Sequence, residues 1–105
     1  QAGDVSKVCI NTLSASWLRG AGNLQVLPLH EFNGESVALV KWPAGEHFQS
    51  HVHPGGEEIY VISGEFIDEH GRYPAGTWIR SPHMSRHHPF VEHETLILVK
   101  VGHLK

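Results

Sequence analysis

Apolar and polar positions alternate in short bursts along this chain, and glycine or proline ends each burst. The segments between these stops run to six to eight residues and are rich in β-branched and aromatic side chains: "ESVALVKW" (35–42), "EEIYVISG" (57–64), "GTWIRS" (76–81) and "ETLILVKV" (94–101), with the shorter "EFIDE" (65–69). Short strands at regular spacing with turn signals between them predict an all-β sandwich or barrel. A helix needs about ten to twelve uninterrupted residues of the right period, and no segment after Gly34 offers them. The one helical candidate is a short turn in "SASWLRG" (14–20), with Ser14 as its cap. In 95–101, Thr95, Ile97, Val99 and Val101 fall on one face, and Leu96, Leu98 and Lys100 on the other. Both faces are largely apolar, which predicts a strand covered on both sides. "FIDEHGRYP" reads as a hairpin with His70 and Gly71 at the bend.

Length and composition narrow the class. At 105 residues the chain is expected to be one domain over 1–105, with residues 1–7 extended or poorly ordered. Net charge is −3 and the eight basic residues are scattered, so no nucleic-acid patch is predicted. No apolar run approaches the ~20 residues that would cross a bilayer, and no signal-peptide pattern opens the chain, so a cytoplasmic protein is expected. The chain starts at Gln1, which suggests a processed or trimmed N-terminus. The single Cys9 excludes an internal disulfide and a multi-cysteine zinc site, and is expected to be a small core side chain.

Ten histidines change the picture. His30, His70, His93 and His103 stand alone among polar or turn residues and are expected to be solvated. His51 and His53 differ, because on a strand residues i and i+2 share a face and can aim at one point; on a helix they would diverge. Pro54-Gly55-Gly56 then turns the chain, and Glu57 or Glu58 opens the next strand where a carboxylate could approach the same centre. Such a group is a candidate metal site.

The residues around it resemble the cupin superfamily. Its first motif is Gly, five residues, His-x-His, three or four residues, Glu, six residues, Gly. It is met by Gly45, His51-Val52-His53, Glu57 and Gly64 without departure. The second motif is Gly, five residues, Pro-x-Gly, two residues, His, three residues, Asn. It is met by Gly76, Pro82 and His87, with Met84 in place of Gly and Val91 in place of Asn. Loss of that Asn is expected to remove a turn hydrogen bond, and Met84 to narrow the site. The stretch from His53 to Phe90 is similar to the ChrR-like cupins, named for the C-terminal half of a zinc-containing anti-sigma factor, and the likeness extends from about Val8 to Leu104.

This resemblance implies a small jelly-roll β-barrel of two antiparallel sheets with little helix, binding one divalent metal through His51, His53, Glu57 and His87. Glu58 fits the looser spacing but leaves one residue too few before Gly64, so Glu57 is preferred. Zinc, iron, nickel and manganese all remain open. Affinity is expected to fall as the imidazoles protonate, near about pH 6. His83 keeps the parity of His87 and is a candidate neighbour of the site; His88 should point the other way, and His47 has ligand-side parity without a place in the motif. Tyr60, Trp78 and Arg80 are candidate pocket or rim residues.

Two functions are carried forward. One is a metal-dependent enzyme on a small molecule, such as a dioxygenase cleaving a dicarbonyl or enolised ketone, which similar ligand sets serve in small cupins. The other is a non-catalytic metal- or ligand-binding or sensing module. Anti-sigma activity is not expected of these 105 residues, which hold no helical partner-gripping segment and one cysteine. A homodimer is expected by resemblance, joined at an edge formed by 5–30 with the strand 95–101.

Overall fold

The computed structural model describes residues 10–12, 14–47, 51–53, 56–82 and 85–102, and for 51–53 and 85–87 it describes the backbone alone. Residues 1–7, Cys9, His83, Met84 and His103 lie outside the described residues. Ten strands follow in chain order: β1 (Leu18–Arg19), β2 (Gln25–Phe32), β3 (Glu35–Trp42), β4 (His51–His53), β5 (Glu57–Ser63), β6 (Glu65–Asp68), β7 (Gly71–Pro74), β8 (Trp78–Ser81), β9 (Ser85–His87) and β10 (Thr95–Val101). The fold is the all-β one expected, with no helix among the described residues. The 14–20 segment does not become helical. Seven residues ending at Gly20 are too few to repay helix nucleation. Instead the backbone amides of Ser14 and Ala15 donate to the Asn11 carbonyl in a turn, and Leu18 and Arg19 pair with Val26 and Gln25.

The larger sheet is antiparallel in the order β1-β2-β3-β10-β5-β8. Its first long hairpin, β2–β3, closes through Asn33 and Gly34, both left-handed at φ 53° and 81°. Positive φ at both central residues is what a two-residue hairpin loop matched to strand twist demands. Pro28 sits inside β2 where the register to β3 slips, between Pro28 and His30. A residue with no N–H is tolerated at such a bulge. Strand β10 lies at the centre of this sheet, between β3 and β5, so it offers no edge to another chain. The edge-strand dimer expected from 95–101 is corrected on that point.

The second layer consists of the β4–β9 ribbon and the β6–β7 hairpin, joined by bridges from Phe90 to His47 and to Ile67. The bend of the β6–β7 hairpin is Glu69-His70, one residue earlier than expected, and His70 N–H donates to Asp68 at 2.8 Å to hold it. Between the layers lies one core of Leu24, Trp42, Ile59, Val61, Phe66, Val91 and Ile97. Trp42 and Phe66 meet edge to face with centroids 5.5 Å apart. Burial of each such aromatic contributes on the order of 2 kcal/mol, and the edge-to-face contact about 1 kcal/mol more. Val91 is 1% exposed. The apolar residue found where the motif has Asn is therefore a core side chain here, while its backbone amide bonds to the Glu46 carbonyl at 2.9 Å.

Gly64 closes the first motif for a packing reason. It is left-handed at φ 82°, and a Cβ there would come within 2.5 Å of both the Glu94 carbonyl and the Thr95 hydroxyl. Thr95 is fully buried. Its hydroxyl accepts from the Glu65 amide at 3.2 Å and lies 2.9 Å from the His93 carbonyl, which pins the start of β6 to the start of β10.

Candidate metal centre

Strand β4 pairs antiparallel with β9, and the register sets His51 opposite His87, Val52 opposite Arg86 and His53 opposite Ser85. Residues directly opposite in an antiparallel pair share a face and stand about 4.5–5.5 Å apart at Cα. With the two-residue period of a strand, positions 51, 53 and 87 fall on one face of this ribbon. Sequence reasoning required the second motif's histidine near the first motif's pair, and the backbone brings their positions together.

Glu57 starts β5, and its cross-strand neighbours are Val101 on β10 and Ser81 on β8. Burial alternates along β5, with Glu57, Ile59 and Val61 inside and Glu58 and Tyr60 toward the outside. Glu57 is only 7% exposed. It belongs to a row Ser36–Val101–Glu57–Ser81 across four strands, and the next row inward, Ala38–Val99–Ile59–Ile79, is apolar. The carboxylate therefore stands at one end of the interior with a hydrocarbon floor beneath it. Three-residue connections, 54–56 and 82–84, carry the chain between the His53–Ser85 pair and the Glu57–Ser81 pair. The two ribbons are thus linked through both of their strands, which keeps the histidine positions and Glu57 within a few residues of each other along the chain.

Glu58 faces the opposite way. Its carboxylate lies 3.7 Å from Arg80 on the outer surface of the larger sheet. Tyr60, Trp78 and Arg80 occupy that same outer face, 43% exposed for Tyr60 and 58% for Trp78. These three candidate rim residues are thus separated by the sheet from the face that carries Glu57. The sequence could have shown this, since all three have the parity of Glu58 across the β5–β8 register. His70 and His93 are exposed as expected. His30 is half-buried, with its Nε2 shielded from solvent, against the expectation of a solvated ring. His47 and His88 are both exposed, their rings 6.4 Å apart, and the His88 amide donates to Glu69 at 2.9 Å.

A further acid matters at the entrance to β4. Glu46 accepts from the Asn23 amide at 3.0 Å and from the Asn23 side chain at 3.2 Å. Those bonds hold its carboxyl below the usual carboxylate range. They tie the loop after β3 to the turn between β1 and β2, and so fix the approach to the histidine strand. Among the described residues no group of three or more metal-binding side chains is assembled, the histidine side chains of 51, 53 and 87 lying outside that set.

Whether the residues fit a cation can still be asked of their chemistry. Imidazole nitrogens and a carboxylate oxygen are donors that divalent transition metals take. Glu57 supplies such a carboxylate on the inner face, and the sequence sets it four residues after His53. The donor set fits a divalent ion.

Residues 5–105 match the family model described as the ChrR Cupin-like domain. The chain belongs to that family. Solved structures agree on the fold of this ChrR-like cupin. It is similar to the anti-sigma factor ChrR in the Rhodobacter sphaeroides SigE–ChrR complex, with a TM-score of 0.78 at 24% identity over 87% of this chain. That match takes in 51% of the other chain, so this chain spans about half its length. An acetylacetone dioxygenase from Acinetobacter johnsonii gives a TM-score of 0.78 at 19% identity, covering 91% of this chain and 72% of that one. KdgF from Halomonas sp. gives 0.76 at 18% identity, covering 92% and 94%. At these identities the likeness is one of fold. No curated protein matches the ChrR-like cupin significantly. Among its described residues no helix is long and apolar enough to cross a membrane.

Proposed function

We propose that this ChrR-like cupin holds one divalent cation through His51, His53, Glu57 and His87 and acts as a metal-dependent enzyme on a small oxygen-rich molecule. The observation that carries the proposal is the β4–β9 register setting His51 against His87, with the Glu57 carboxylate buried at the start of the next strand. Three neutral imidazoles and one carboxylate would hold such a dication and leave it at net +1. Such a cation supplies Lewis acidity and open positions for a chelating diketone or enolate. The chain supplies the rest. Glu57 contributes the one negative charge, and its burial keeps that charge facing inward. The row Ala38–Val99–Ile59–Ile79 closes the interior below the site and excludes water from that side. Ser36 and Ser81, in the same row as Glu57, are hydroxyl groups available to a polar ligand.

The fold shared with an acetylacetone dioxygenase supports the enzyme, and the fold shared with the anti-sigma chain supports a second reading, a binding or sensing module. One experiment separates them. The protein is purified without an affinity tag or added metal, its metal content is measured, and oxygen uptake is followed with acetylacetone. Iron near one per chain with diketone-dependent uptake, both lost in His51→Ala and His87→Ala, is the result expected of the enzyme. Tightly held zinc with no uptake would favour the sensing module. Folded protein that takes up no divalent metal at all would refute both.

A further inference from the structure

The β2–β3 hairpin covers the face it would be expected to leave open. Leu27 and Leu39 stand opposite each other on the outer face, in register with Leu98 and Tyr60, yet they are only 5% and 7% exposed. On the inner face the order is reversed. Pro28 pairs with Ala38, Ala38 with Val99 and Val99 with Ile59, so all four share the side that carries the core. Burial falls along that row: Ile59 is buried, Val99 and Ala38 are half-buried and Pro28 is exposed. The apolar floor therefore runs out from the core into solvent. Val26, Pro28, Glu31, Ser36 and Ala38, all of this face, line a groove of about 510 Å³ together with Val37 and the bulge of β2. Small-molecule sites are typically about 300–1,000 Å³ and mostly apolar with a few polar groups, and this groove has both properties.

Ala38 joins this groove to the proposed metal centre. It belongs to the apolar row next to Glu57, and Ser36, two residues before it, stands in the row of Glu57 itself. From β5 the groove is reached across β10 and β3, and three strand spacings carry it about 14 Å to β2. We propose that the groove holds the tail of the substrate. The ligand is then a diketone or enolate bearing a long alkyl or aryl substituent, its oxygens at the Glu57 end and its tail laid over Val99, Ala38 and Pro28. This inference rests on the metal-dependent reading above and adds the shape of the substrate to it. A compact diketone would leave Val26, Pro28 and Ala38 in water, whereas a tail along them removes apolar surface from solvent on both partners. The tail meets no end wall, because β1 pairs with β2 only at Gln25 and Val26. An added β-strand is a poorer occupant of that edge, since Pro28 has no N–H to offer and the bulge beside it breaks the ladder.

Titration calorimetry on the intact chain loaded with zinc, which binds ligands without redox turnover, tests this. The probes are acetylacetone and the same diketone head carrying butyl, octyl or phenyl substituents. Affinity is expected to rise about two- to fourfold for each methylene until the tail reaches β2. Ala38→Trp fills the groove where it leaves the core and should return the octyl compound to the affinity of acetylacetone. Pro28→Glu sets a charge against the tail at an exposed position and should weaken the octyl compound by about tenfold or more; it decides the matter should Ala38→Trp fail to fold by circular dichroism. Zinc content, measured on every protein, keeps the two readings apart. One zinc per chain with equal affinity for short and long compounds would overturn the groove and leave the metal centre standing. A tail dependence that both folded variants retain would do the same, since the tail then lies elsewhere. A folded wild type that takes up no zinc would overturn both readings together.

Discussion

Replacing Glu57 and Glu58 separately by Gln tests which carboxylate serves the interior. Glu57 is 7% exposed on the inner face, whereas the Glu58 side chain is 26% exposed and sits 3.7 Å from Arg80 on the outer one. A ligand that binds only the folded state stabilises it by RT ln(1 + [L]/Kd), about 2.7 kcal/mol when free metal is 100 times Kd. For a domain of this size each kcal/mol moves Tm by roughly 4–8 °C, so zinc added to chelator-treated wild type should raise Tm by roughly 10–20 °C. Losing the one anionic group among the four proposed ligands is expected to weaken binding about 100-fold. At the same metal concentration the ratio [L]/Kd then falls to about one, the stabilisation to about 0.4 kcal/mol, and the shift to roughly 2–3 °C. Glu58→Gln should keep the full zinc shift. It gives up only an outer-face ion pair worth about 0–1 kcal/mol. Scanning calorimetry with and without zinc measures both, each variant against its own metal-free form, so changes in the metal-free fold cancel. A Glu57→Gln protein with the whole zinc shift would refute the inward carboxylate as a ligand, and a loss confined to Glu58→Gln would reassign the role.

Two further outcomes follow from the fold. Gly64→Ala is expected to lower stability by about 2 kcal/mol or more, read from a urea midpoint, because it combines a left-handed backbone with a Cβ pressed against the Glu94 carbonyl and Thr95; an unchanged midpoint would show that the β5–β6 corner yields freely. Glu46 is held below the ordinary carboxylate value of 4.5 by the Asn23 amide, so its contribution is complete above that value and is lost as pH falls through the lower folded value. The acid limb of a stability–pH curve should accordingly be shallower in Glu46→Gln than in wild type.

Local pattern was enough to predict most of the long strands. The β3, β5, β8 and β10 segments alternate in ways that only a strand satisfies, and each ends at a glycine, a proline or a turn. Strand β2 was missed because Pro28 interrupts "QVLPLHEF", yet Asn33-Gly34 at its end was a hairpin signal in plain view. The bulge that accommodates Pro28 exists only in the pairing with β3. The 14–20 turn went the other way, since the partner that extends Leu18 and Arg19 is supplied by β2.

What the sequence by itself determined was the motif from which the site is proposed: the spacing of His51, His53, Glu57 and His87 is a one-dimensional property, and so is the position of Gly64. The tertiary structure decided which face each residue serves. The Pro-Gly-Gly sequence at 54–56 prevents parity from being counted from His53 to Glu57, so only the β5–β8 and β5–β10 pairings set Glu57 inward and Glu58 outward. By the same pairings Tyr60, Trp78 and Arg80 moved from a supposed pocket rim to the outer surface, and packing in the core cluster took in Val91, where a lost turn contact was expected. Direction across a sheet depends on pairing partners far away in the chain, and no local spacing encodes it.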